Sequence, residues 1–171
     1  MSFSLRALIT RLFGRPPELS ISSDLWAELL DGLRLRGGNV RESGAFLLGP
    51  EAGPRRVTSI VFYDEIDPAA FDTGIVVIDG GAIADLWRIC RDRGAIVAAD
   101  VHTHGGAAGM SEADRMHPMI AEPGHIAMIL PDFAAAPVRF GEIGFYRYRG
   151  DFLWDSLRPA LLRPTLSITG A

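Results

Sequence analysis

The chain has 171 residues, 48% of them hydrophobic, and a net charge of -4 from 17 basic and 21 acidic side chains. That is enough apolar material for one well-buried domain and too short a chain to divide comfortably into two. The acidic balance and the lack of a long basic run leave no nucleic-acid footprint, and the single cysteine, Cys90, excludes an internal disulfide and fits a reducing cytoplasm.

Residues 1–17 read as an amphipathic arm. Leu5, Leu8, Ile9, Leu12 and Phe13 recur at helical spacing with Arg6 and Arg11 between them, and Arg15-Pro16-Pro17 breaks the helix before a domain of residues 18–171. The uninterrupted apolar core of a secretion signal or membrane span is missing, so docking on its own domain or on a partner ranks ahead of a membrane surface.

Residues 19–21 predict a short opening strand. Ser22 or Ser23 caps the helix that follows, whose apolar side is Leu25, Trp26, Leu29, Leu30 and Leu33 and whose end is Gly37-Gly38. Glu42 stands just before a short apolar strand closed by Gly49-Pro50, and a turn at residues 51–54 leads to a second strand, 57–63, completing a hairpin. Residues 64–73 form a loop and 74–78 a further strand. Ile83, Leu86, Trp87 and Cys90 mark an amphipathic helix from about residue 81 to 92, stopped near Gly94, with Cys90 as a small core residue.

The run from Ala95 to Ala99 predicts a strand buried on both faces, and it ends in Asp100-Val101-His102-Thr103-His104. Side chains two apart on a strand point the same way, which brings both imidazoles to one side. A Gly-rich turn then leads into a helix at Ser111, where Ser111 and Asp114 share one face of the first turn. Two imidazoles and a carboxylate converge from two elements, a three-ligand set for zinc with the fourth position left to water. Taken singly, Ser-x-x-Asp is also a helix-capping pair, and His-x-His is also found as surface or hydrogen-bonded histidines. Asp100 shares the histidine face and either orients one imidazole or caps or pairs with an arginine.

Beyond Asp114 the helix is brief, because Pro118 and Pro123-Gly124 interrupt it. His117 is placed in support of the metal or in solvent, and His125 opens the strand of residues 126–130 as a structural residue. Residues 138–148 supply one or two further strands, and 152–162 a last short helix carrying Trp154. The order of elements gives an α+β fold, an α/β sandwich around a mixed sheet.

Glu42-Ser43-Gly44 before Leu47-Leu48-Gly49, followed by His102-Thr103-His104 and Ser111-Glu112-Ala113-Asp114, resembles the JAMM motif of the JAB/MPN metalloprotease family over roughly residues 18–148. The resemblance implies a curved mixed sheet flanked by helices, with cytidine deaminase-like layering. It assigns zinc to His102, His104 and Asp114, places Glu42 beside the metal-bound water, and gives Ser111 a part in holding the oxyanion. Two departures stand out: Gly105 where the family has proline, and a His104–Ser111 interval one residue shorter than usual, which the three glycines of the loop can absorb. The intervals in which eukaryotic members carry insertions are short here, as in a compact prokaryotic member.

The function implied is that of a cytoplasmic zinc isopeptidase or peptidase. It would cut after the C-terminus of a ubiquitin-like protein, freeing a conjugate or processing a precursor, in a bacterial conjugation system such as those of anti-phage defence operons. Its partners would be that modifier or its conjugate and the E1-like and E2-like enzymes of the same operon, with neither nucleic acid nor membrane expected. A sulfur-carrier-processing peptidase is the enzymatic rival. A non-catalytic MPN scaffold is the other, although scaffolds normally lack part of the ligand set. All 17 basic residues are arginine, which GC-rich coding explains and which would also spare an enzyme of lysine-linked conjugates from self-modification. Leu33-Arg34-Leu35-Arg36-Gly37-Gly38 spells the tail of ubiquitin, but it is internal and sits where a helix stops, so the match is read as coincidence.

Overall fold

Alternation along two buried strands organises the molecule. The computed structural model describes residues 17–157 and 165–170. The amphipathic arm up to residue 16 and the end of the expected last helix, from residue 158, lie outside the described residues. In chain order the elements are β1 (Leu19–Ser22), α1 (Ser23–Gly37), β2 (Gly44–Gly49), β3 (Ser59–Phe62), α2 (Ile83–Arg93), β4 (Ile96–Thr103), α3 (Glu112–Met116), β5 (Ile126–Leu130), β6 (Gly144–Gly150), β7 (Leu153–Ser156) and β8 (Leu166–Thr169).

Six strands form one sheet in the order β3-β2-β4-β5-β6-β7, parallel only between β4 and β5. β1 and β8 pair in parallel as a separate two-stranded sheet. Along β2, Ala45 and Leu47 join the core formed with α1, while Phe46 and Leu48 join a second core with Leu86 and Cys90 of α2. A helix therefore covers each face of the sheet, as expected for an α/β sandwich. Cys90 is buried, and that burial pushes its thiol up.

Local chemistry sets the helix limits. Ser22 Oγ accepts the Leu25 amide at 3.2 Å, and Gly38 closes α1 in the left-handed region at φ 57°, donating to Arg34 O. The Leu33–Gly38 stretch is thus the last turn and cap of a helix. Among the described residues, no helix is long and apolar enough to cross a membrane.

Two expected elements differ. Residues 74–78 form no strand, beginning in a bend with Gly74 at φ 87°, and their polar backbone groups turn to the chain beside them: Gly74 O accepts from Glu42 N and Val77 N donates to Ala70 O. Trp154 lies in β7, not in a helix. Asp151 and Phe152 both have positive φ, 52° and 58°, the signature of a two-residue type I′ hairpin loop, and they fold β7 back onto β6. β8 was not anticipated.

Candidate metal centre

The site begins where β2 and β4 are locked together. Gly44 is the register partner of His102. A Cβ on Gly44 would lie 2.2 Å from the Tyr63 ring and 2.8 Å from Val101 O, so only glycine fits there. Ser43, fully buried, donates its hydroxyl to Leu33 O at 2.9 Å and its amide to Thr103 Oγ1 at 3.0 Å, while Thr103 N donates to Ser43 O. These bonds tie the strand carrying the histidines to the residue that follows Glu42. The small-Gly pair is therefore a structural requirement of the approach.

The histidines stand at the end of β4, His102 inside it and His104 one residue beyond. Their Nε2 atoms are 3.0 Å apart. Asp114, in α3, presents Oδ1 to His102 Nε2 and Oδ2 to His104 Nε2, each at 3.3 Å. Among the described residues these three form the group able to hold a metal ion, with donor atoms within 4.8 Å of one another. Ligands about 2.0–2.1 Å from a tetrahedral ion stand roughly 3.3–3.4 Å from each other, close to the separations seen. The donor set fits a divalent ion such as zinc.

Burial alone would raise the Asp114 carboxyl, but hydrogen bonds with His102 and His104 overcome it and hold the carboxyl well below the usual carboxylate range. The same bond with Asp114 holds the His104 imidazole above its ordinary value, against the effect of burial. A metal ion must displace that imidazole proton, so its uptake is favoured as pH rises.

The cap also fixes Asp114 beside the histidines. Ser111 Oγ accepts the Asp114 amide at 3.1 Å and Asp114 Oδ2 accepts the Ser111 amide at 2.7 Å, a complete capping box. Because α3 is only five residues long, this cap decides where Asp114 points. Glu42 Oε1 lies 3.9 Å from His104 Nε2, while Glu42 Oε2 accepts the Val76 amide at 3.3 Å. Glu42 is thus beside the cluster without belonging to it.

Asp100 orients neither His102 nor His104, contrary to one of its expected roles, and among the described residues it pairs with no arginine. Its Oδ1 is 2.5 Å from His125 Nε2 and its Oδ2 accepts from the Tyr63 hydroxyl at 3.3 Å. The reason is strand geometry: Asp100 is one side-chain pair deeper in β4 than His102, at the level where β5 begins. His125 is buried in that pair, and His117 is exposed.

The loop after His104 is buttressed by a left-handed turn that sequence reading missed. Asp132, Phe133 and Ala134 have φ of 50°, 52° and 60°, each costing on the order of 1–3 kcal/mol. Phe133 N donates to His104 O at 2.8 Å and Asp132 N to Gly106 O at 3.0 Å. The Phe133 ring occupies the space that a Cβ on residue 105 would need, 2.6 Å from its Cζ, so glycine at 105 lets the ring approach. Trp154 was also missed; its ring N–H donates to Arg115 O at 3.2 Å and so holds α3 from the side. Apolar sequence patterns carry no signal for either contact.

His102→Ala should leave the chain folded and weaken metal binding by more than the roughly 10–100-fold that loss of a supporting hydrogen bond costs. Calorimetric titration of the metal-free chain with Zn2+ checks this. Equal affinity for both chains would remove His102 from the ligand set.

No protein-family model matches the chain. In sequence it is 29% identical over 77 residues, 45% of its length, to a protein of Sinorhizobium fredii described as "Probable metalloprotease y4jG"; the match covers 48% of that relative, so the chain spans about half of it. In fold it is similar to the solution structure of protein DSY2949 from Desulfitobacterium hafniense, with a TM-score of 0.64 at 15% identity, covering 90% of this chain and 94% of that one. The architecture is therefore a known mixed α/β fold, and it carries a His-His-Asp cluster in a chain partly similar to a probable metalloprotease.

Proposed function

We propose that this chain is a zinc-dependent peptidase or isopeptidase of the JAB/MPN type, hydrolysing the bond that follows the C-terminus of a ubiquitin-like protein in a bacterial conjugation system, including those of anti-phage defence. The observation that carries the reading is the convergence of His102, His104 and Asp114 with the Glu42 carboxylate 3.9 Å from His104. The partial similarity to a probable metalloprotease supports the class of reaction. The order of the Glu42, His-x-His and Ser-x-x-Asp motifs supports the finer assignment and the choice of a ubiquitin-like substrate.

When bound, the ion supplies Lewis-acid chemistry, polarising a carbonyl and acidifying water. The protein groups divide the rest of the work. With Oε2 held by the Val76 amide, Glu42 keeps Oε1 directed at the cluster, where it accepts a proton from the attacking water and returns it to the leaving amine. Ser111 spends a lone pair on the Asp114 amide, which leaves its hydroxyl proton free to meet the oxyanion of the tetrahedral intermediate.

The test uses bacterial ubiquitin-like proteins carrying either a C-terminal reporter extension or an isopeptide-linked lysine. Cleavage should stop with chelator and return with Zn2+, and Ser111→Ala, assayed at saturating Zn2+ because the change also removes half of the cap on Asp114, should slow turnover by about a hundredfold or more. Cleavage that persists at zero metal content would end the metal-dependent reading. Release of the linear extension alone would point to the carrier-processing rival.

A further inference from the structure

The second half of the loop between His104 and Ser111 is fastened by one side chain. Tyr146, in β6, donates its hydroxyl to Ala108 O at 3.0 Å and accepts the Met110 amide at 3.0 Å. Ala108 O is seated so closely on the strand below that a Cβ on Gly144 would lie 2.2 Å from it. The carbonyl is therefore caught between a glycine and a hydroxyl. The first half of the loop needs no such side chain, since the Asp132 and Phe133 amides hold Gly106 and His104.

Met110 directly precedes Ser111, and Ser111 holds Asp114 through both its amide and its hydroxyl. A path thus runs from β6 by the hydrogen bond to Met110, along the peptide link to Ser111, and by the hydrogen bonds of the capping box to the carboxylate that faces both imidazoles. We propose that Tyr146 is a positioning residue for the metal centre: its hydroxyl sets where Ser111 stands and, through it, where Asp114 points, so that the ligands of β4 and α3 are assembled before an ion arrives. The identity of that centre rests on the functional reading above.

Loss of the hydroxyl would leave Ala108 O and Met110 N to water. Gly105, Gly106 and Gly109 would then give the released loop many conformations. Ordering that loop again would subtract from the affinity of whatever binds the assembled form.

The experiment titrates the metal-free full-length chain with Co2+, followed by visible absorption, and measures hydrogen exchange at the Met110 amide. The variants are Tyr146→Phe and, as control, Tyr148→Phe, which keeps the ring packed on Trp154 and removes a hydroxyl of the same strand whose hydrogen bond among the described residues is accepted from the Phe152 amide in the β6–β7 turn. Tyr146→Phe should bind Co2+ about tenfold more weakly and exchange Met110 faster, while Tyr148→Phe stays within about twofold of wild type. Unchanged affinity or unchanged Met110 exchange in Tyr146→Phe overturns the proposal, as does an equal loss in both variants. A wild-type chain that binds no Co2+ overturns the metal reading and this proposal together, an outcome distinct from the others.

Discussion

Glu42→Gln should lower turnover by at least about a hundredfold while leaving the metal in place, since positioned general acid–base groups typically contribute 10²- to 10⁴-fold. Glutamine keeps the shape of glutamate, and its carbonyl oxygen can still accept the Val76 amide that holds Glu42 Oε2. It cannot take up a proton. Glu42 Oε1 is 3.9 Å from His104 Nε2 and outside the three-residue ligand group, so the ligands remain complete without it. Zinc content and kcat measured on one preparation separate the two roles. Full turnover in the glutamine variant would eliminate Glu42 as the proton carrier, and loss of zinc with turnover would make it a ligand.

What could be read from sequence followed from periodicity and from chemistry at the ends of elements. β2 and the first half of β4 are apolar runs, the latter leading into Asp100 and the two histidines, and α1 and α2 end on glycines that adopt left-handed angles. The features that escaped depend on what lies across space. Residues 74–78 have strand composition, but composition does not say whether a neighbouring strand exists, and here the segment gives its polar backbone to Glu42 and Ala70. β8 is four residues long, and its partner β1 comes from the other end of the described chain. At the site, the chemical groups were visible in their spacing, whereas their supports, Tyr146, Phe133 and Trp154, arrive from β6, the turn after β5 and β7 respectively. Ser111 and Asp114 posed a choice between cap and ligand set; the capping box is present, and in a helix of five residues it also aims the carboxylate at the two imidazoles, so capping does not exclude the other role.

Asp100→Ala should be the most destabilising of the substitutions considered, costing about 3–5 kcal/mol, the range for breaking a buried carboxylate pair. Asp100 is 2% exposed, His125 6% and Tyr63 fully buried, so removing the carboxylate strands the His125 ring nitrogen and the Tyr63 hydroxyl where water does not reach them. For a chain of this length that corresponds to a fall of roughly 6–20 °C in Tm. Asp100→Asn, which retains an oxygen for one partner, should lose much less. The distinguishing measurement is a double-mutant cycle by thermal or urea unfolding. Because replacing a whole buried pair with apolar side chains is often close to neutral, Asp100→Leu with His125→Leu should cost less than the sum of the single changes. Additive costs would mean that the two residues stabilise the fold independently and that the pair does not anchor β4 to the start of β5. Strong coupling would place a rigid tie one side-chain pair below His102, in the strand that presents both imidazoles, so that the depth of the site in the sheet is set by a contact no ion touches.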